Sequence, residues 1–383
     1  MKYRLTCLTP LLVGDGRKLS PIDYMVWRDH VNVLDQTRIF RLLAKGTRLE
    51  NYLTQIRKAE KLDFASWGGF AQNFADRRIP FEDPAYTAYW QRARADQLSI
   101  PTFTAGPHGP YLPAAALKGA LRTALASERF SDAALRDASE RLKGERIPRN
   151  LAQYPEQVAI GQGGADRMRA LAVGDSAPVA IQSFKIYLLR VATLQSRQGR
   201  YELGWKQTGG STLEASRVDD STPIFAEMAS PGSIFEGRWT EKEFLRRPEV
   251  LRMLHWKEAP GRQRLFEAAN HYAEKALESH QRFAEWTGLS SLFAGIEDLA
   301  SRLAEARSSG ACIFPLGWGT GLLGKTAVLD SGNEAYREIL RALPQFGKAA
   351  RSGLPIPKTR RIVFCGNRPS ALPGWVRLEV SDQ

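Results

Sequence analysis

The stretch of this chain closest to a known chemistry is Gly319-Thr320-Gly321-Leu322-Leu323-Gly324-Lys325-Thr326. It satisfies the phosphate-loop pattern G-x-x-x-x-G-K-[ST] and also contains G-x-G-x-x-G at Gly319, Gly321 and Gly324. Glycines at that spacing free backbone N–H groups to wrap a β-phosphate when a buried strand leads in and a helix leads out. Here the sequence turns at once into Val328-Leu329-Asp330-Ser331-Gly332-Asn333, which stops a helix. No later apolar strand ends in an Asp that could hold Mg²⁺, because Arg361-Ile362-Val363-Phe364 runs into Cys365. The context therefore argues against a P-loop nucleotide-binding protein. It favours a loop, led by Gly317 and Trp318, that lies against some other phosphate backbone; the plainer alternative is a tight turn with no ligand.

Three more segments could meet an anion. Val13-Gly14-Asp15-Gly16-Arg17-Lys18 is a second glycine-rich turn with two cations at its end. In Tyr111-Leu112-Pro113 through Leu125 the leucines at 117, 121 and 125 recur every four residues and should face a core. Lys118 and Arg122, also four apart, fall together on an adjacent face, where they suit phosphate contacts near a helix N-terminus. A solvated basic face is the competing reading. Pro355-Ile356-Pro357-Lys358-Thr359-Arg360-Arg361 is a rigid lead into a strand bearing three basic residues, either facing an anion or an edge protected by charge.

Other chemistries find less support. The five histidines (30, 108, 255, 271, 280) form no close metal-ligand pair, no G-x-S-x-G occurs, and no two carboxylates stand out as an acid/base couple. We expect no catalytic residue, metal or cofactor. His108 and Tyr111 are the nearest approach to a nuclease pair. Trp67 and Trp90 read as packing residues, and Trp318 is the better base-stacking candidate. The 383 residues carry 54 Lys+Arg against 41 Asp+Glu, a net charge of +13, which points to an anionic partner with nucleic acid first. No apolar run reaches the ~18 residues a membrane span needs. Three scattered cysteines fit a reducing, cytoplasmic setting.

The elements that must position these residues fall into blocks. Strand patterns occupy 3–9, the hairpin 23–34, 179–191, 223–228 and 233–239, the last two joined by the turn Ser230-Pro231-Gly232. Helical spacing fills 36–98, with Gly46 as a weak point, and 241–310, where Leu265, Ala269, Tyr272, Ala273, Ala276, Phe283 and Trp286 form one apolar stripe and Leu289 to Leu303 another. Asn150 to Arg167 reads as a mobile loop. The expected fold is α+β: one sheet-based core from residues 1–35, 99–240 and 311–383, with two mainly helical insertions at 36–98 and 241–310.

In this order the motifs resemble the RAMP superfamily of CRISPR proteins. Leu8-Thr9-Pro10-Leu11-Leu12-Val13-Gly14-Asp15-Gly16 is similar to its opening TPLHIGSG segment, Tyr111-Leu112-Pro113 through Arg122 to YIPGSSLKGALR, and Leu316-Gly317-Trp318-Gly319-Thr320-Gly321 to its C-terminal glycine-rich loop. Leu19 to Tyr24 and Pro357 to Arg361 narrow the resemblance to subunits of type III-A (Csm) effector complexes. Ala114-Ala115-Ala116 replaces the usual Gly-Ser-Ser and removes two hydroxyl donors. The resemblance implies an RRM-like (ferredoxin-like) core. It implies a non-catalytic subunit that binds guide RNA, caps the filament near the guide 3′ end, touches the neighbouring backbone RAMP subunit and target RNA, and supports guide maturation. A RAMP-type guide-processing endonuclease is the alternative. The RNA-binding residues expected are Gly14, Gly16, Arg17, Lys18, Lys118, Arg122, Gly317, Trp318, Gly319, Gly321, Lys325, Lys358, Arg360 and Arg361.

Overall fold

In Lys2–Cys7 (β1), Tyr3, Leu5 and Cys7 are buried while Lys2 and Arg4 are exposed, the period of two that fixes one face inward. This computed structural model of the chain describes residues 1–44, 47–58, 61, 71–144, 150, 153–207 and 214–382. Gly46 and Trp67 lie outside the described residues. In chain order β1 is followed by Ala114–Arg129 (α1), Gln153–Ile160 (α2), Leu171–Ser176 (β2), Phe184–Arg197 (β3), Arg200–Lys206 (β4), Ile224–Ala229 (β5) and Ile234–Glu241 (β6). Then come Arg262–Thr287 (α3), Ser290–Ser308 (α4), Cys312–Pro315 (β7), Thr359–Cys365 (β8) and Trp375–Ser381 (β9). The fold mixes helix and strand.

Two antiparallel sheets form the body. The first has the order β7-β9-β1-β6-β2. The second is built on β3, which pairs with β4, β5 and β8. The turn at Ser230-Pro231-Gly232 does not close a hairpin: it carries the chain from β5 in the second sheet to β6 in the first. A local turn signal cannot say which partner each arm takes.

Both faces of the second sheet are buried. Tyr187 and Leu189 enter the core shared with β1, β6, β9 and α1, while Ile186 and Leu188 enter the other. Helix α3 spans about 39 Å at ~1.5 Å per residue. It gives Leu265 to Tyr272 to the first core and Ala273 to Ala284 to the second. It is thus a strut of the main body, although its sequence reads as insertion material.

Two further segments differ from their sequence reading. The hairpin Tyr24–Trp27/His30–Leu34 forms as expected, but its third strand is Ala75–Pro80, from the block read as helical. This small sheet is clamped to the body by Arg77, which makes two bonds of 2.6 and 3.0 Å to the fully buried Glu227 carboxylate of β5. Within 150–167, α2 is ordered because Ala159 and Ile160 are buried in the first core, so apolar burial replaces the expected mobile loop.

Candidate nucleic-acid interface

The two glycine-rich loops are brought together by backbone hydrogen bonds between chain ends. Trp318 N–H donates to the Leu12 carbonyl at 2.7 Å, Leu316 N–H to Gly374 and Gly374 N–H to Pro10. Val13 C=O accepts from both the N–H and Oγ1 of Thr104, at 2.9 and 2.8 Å. Gly317, at φ +83°, lies so close to this crossing that an added Cβ would sit 2.3 Å from the Leu12 oxygen. A left-handed backbone in that contact is open only to glycine.

The result is a groove of about 440 Å³. Gly14, Gly16, Arg17 and Lys18 form one wall, Gly317, Trp318, Gly324 and Lys325 the other, and Ala116, Gly119, Ala120 and Thr123 of α1 the floor. No carboxylate lines it. Lys18 and Lys325 are exposed, and Arg17 is 79% exposed with a 3.3 Å ion pair to Asp15. Glycine and alanine along the floor let a backbone approach closely, and the cations supply charge that sequence-independent phosphate contact needs.

Helix α1 forms where its leucine spacing places it, with Pro113 as its N-cap. Ala114 N–H is satisfied by the Asp175 carboxylate at 2.7 Å. Leu117, Leu121 and Leu125 face the core as expected. The basic pair is spent elsewhere. Lys118 Nζ donates to the Leu171 carbonyl at 2.8 Å, and its pKa is lowered mainly by desolvation. Arg122 is held by Glu156 at 2.9 Å and Asp166 at 2.6 Å. Neither lines the groove. At 100° per residue, 118 and 122 point away from the 116/119/120/123 stripe. That stripe was legible as small residues at i, i+3, i+4 and i+7, and sequence reasoning missed it because it looked for charge.

The third basic segment divides. Arg360 is 6% exposed and points into the second core. Its Nε donates to His280 Nδ1 at 2.9 Å, its other nitrogens to the Pro357 and Thr359 carbonyls and to Ser279, and its guanidinium lies 4.7 Å from the Phe283 ring centroid. Burial pulls its pKa down to about 9. It cannot serve as the exposed RNA contact expected of it. Arg361, one residue on, turns to the other face of β8 and stacks on Trp318 at 4.8 Å, so one face of that indole is covered. Gly319, Gly321, Lys358, Arg360 and Arg361 line a separate recess beyond the loop. The loop is followed by a three-residue 3₁₀ turn, Leu322–Gly324, and not by the α-helix of a nucleotide-binding P-loop.

A family model described as RAMP superfamily matches residues 4–323. The chain belongs to the RAMP superfamily. Its fold is similar to that of a chain in a cryo-EM structure of a Csm–crRNA–target RNA ternary complex of a type III-A CRISPR-Cas system. The TM-score is 0.64 at 20% identity, covering 99% of this chain and 100% of that one. It is also similar to the crystal structure of T. onnurineus Csm5, with a TM-score of 0.62 at 17% identity over 97% and 99% of the two chains. No curated protein sequence matches it.

In this RAMP protein the two nuclease candidates lie off the groove. His108 is exposed on the small hairpin Ala105–Gly106/Gly109–Pro110, and neither it nor Tyr111 lines the groove. Among the described residues no three His, Cys, Asp or Glu side chains cluster as metal ligands, and no helix is long and apolar enough to cross a membrane.

Proposed function

We propose that this chain is a non-catalytic RNA-binding subunit of a type III-A Csm effector ribonucleoprotein, equivalent to Csm5. In this reading it caps the backbone filament near the 3′ end of the guide RNA and supports guide maturation in antiviral defence in the cytoplasm. The observation that carries it is the groove: two glycine-rich loops, a small-residue helix floor and Arg17, Lys18 and Lys325, with no carboxylate in the lining. Such a site suits a sugar-phosphate backbone and reads no sequence by itself. The order β9-β1-β6-β2, with α1 between β1 and β2 and α3 between β6 and β9, supports an RRM-like core. The partners are guide RNA, the neighbouring backbone RAMP subunit and target RNA.

The test is reconstitution with and without the subunit. One copy per complex by native mass spectrometry, with extra nuclease protection at the guide 3′ end, is the expected result. Equal protected lengths, or several copies per complex, would leave only a general RNA-binding RAMP protein.

A further inference from the structure

The face of α1 that floors the groove does not end at Thr123. Ala126 and Phe130, three and seven residues further on, continue the same stripe and form one side of a second cavity of about 330 Å³. Its other side is a pair of helices, Asp132–Leu142 and Glu334–Ala342. Each is capped by its own side chain: Ser131 Oγ accepts from Ala134 N–H, and Asn333 Oδ1 from Tyr336 N–H. Asn333 Nδ2 donates to Asp132 at 3.0 Å and Ser139 Oγ to the Glu338 carboxylate, which ties the two helices together. Leu135, Ala138, Tyr336, Ile339 and Leu340 give them a small core apart from the two main ones. Folded interiors are close-packed and leave few voids larger than a water molecule. An apolar cavity of this size against anchored helices is therefore a place for a ligand, at the lower end of small-molecule volumes.

The lining says which ligand. Three aromatic rings, Phe130, Tyr336 and Phe346, stand around the cavity, and Phe130 and Phe346 are only half-buried. Such rings offer faces on which a planar group stacks. The polar groups are few. Thr326 Oγ1 and the Tyr336 hydroxyl bond to each other at 3.2 Å. Glu156 Oε1 accepts from Arg122, while its Oε2 has no donor among the described residues. A carboxylate repels phosphate, yet it accepts readily from the N–H groups on a base edge. The cavity also adjoins the groove, because Thr123 and the exposed Lys325 line both. A strand whose phosphate meets Lys325 has this apolar space beside it.

We propose that the cavity takes one unstacked nucleobase of the strand in the groove, stacked on Phe130 and Phe346 with an edge N–H donated to Glu156, while Lys325 meets a neighbouring phosphate. The inference rests on the RNA-binding reading of the groove and adds a contact that senses the base. An apolar side chain of a protein partner is the rival occupant. The cation-lined groove next door favours the base, since it draws in an anionic chain, and Glu156 excludes that chain's phosphates while admitting a neutral ring.

The experiment titrates two labelled probes into the full chain: a short RNA, and the same ribose-phosphate chain without its bases. Removing the bases should weaken binding about tenfold, the scale of one stacked base. A groove that meets only sugar and phosphate would barely distinguish the two probes. In Ala138→Leu, which fills the cavity, and in Phe346→Ala, which removes a stacking wall, the ratio should fall below about twofold. The salt dependence should stay that of the unaltered chain, because every cation is kept. Thermal unfolding checks both folds, and the half-buried Phe346 keeps the test open if the overpacked Ala138 variant does not fold. Equal affinity of the two probes for the unaltered chain would overturn the cavity assignment and leave the groove standing. A tenfold ratio retained in both variants would overturn it too and put the stacking elsewhere, on Trp318. No salt-dependent binding of either probe would overturn the RNA-binding reading and the base contact with it. Equal affinities together with loss of both variants from the reconstituted complex would give the cavity to a protein partner instead.

Discussion

Arg122 gives the sharpest separation between a residue that holds the fold and one that holds RNA. Replacing it by Ala removes charge-assisted bonds to Glu156 at 2.9 Å and Asp166 at 2.6 Å. Hydrogen bonds to charged groups contribute roughly 1.5–3 kcal/mol each when well buried. The Arg122 side chain is 29% exposed and that of Glu156 44%, so solvent screens much of the Glu156 bond. Asp166, at 25% exposure, also accepts from Met168 N–H, so its loss loosens the turn after α2. We expect a total cost of about 2 kcal/mol, read as a lower midpoint in chemical denaturation. The salt dependence of RNA binding should not change, because Arg122 does not line the groove. The paired variant Lys18→Ala/Lys325→Ala should do the reverse. Stability should hold within about 0.5 kcal/mol for exposed side chains. The slope of log K against log salt should flatten by roughly 1.4, at about 0.7 per single-strand phosphate contact. Fluorescence anisotropy on two unrelated RNAs over a salt series measures this. If Arg122→Ala flattened the slope with stability intact, the assignment of this residue to the fold would be wrong.

Gly317→Ala should destabilise by at least ~2 kcal/mol, combining left-handed strain with a Cβ 2.3 Å from the Leu12 oxygen, and should weaken RNA binding at the same time; a stable variant with normal affinity would mean the loop crossing is not rigid. His280, buried against Arg360 and Trp375, has its pKa held well below the ordinary value by desolvation first and the Arg360 charge second. The unfolded chain then binds a proton that the native state does not. Stability contributed above pH ~6.5 is lost as pH falls, by up to about 1.4 kcal/mol per unit. Denaturation midpoints from pH 7 to 5 should show this slope, and His280→Gln should flatten it; an identical slope in the variant would refute the account.

Much of the fold and part of the site was legible in the residues themselves. The period-two alternation in Lys2–Cys7, the leucines of α1 and the stripes of α3 and α4 locate their elements, because a half-buried strand or helix must repeat its apolar positions with its own geometry. The glycine-rich loops were legible for a similar reason: closely spaced glycines mark backbone that side chains would block. Charge was the misleading signal. Lys118, Arg122 and Arg360 look like RNA contacts in sequence, yet a carbonyl, two carboxylates and a buried imidazole claim them. Those partners are contributed by residues 34 to 80 positions away. Nor does local pattern say that Ser230–Gly232 switches sheets, that Ala75–Pro80 joins the Tyr24–Leu34 hairpin, or that Gly14 and Gly317 share a groove. Local geometry sets which face of an element is apolar. Which cations remain free for RNA depends on long-range pairings, since a cation meets its nearest acceptor only after the chain has folded.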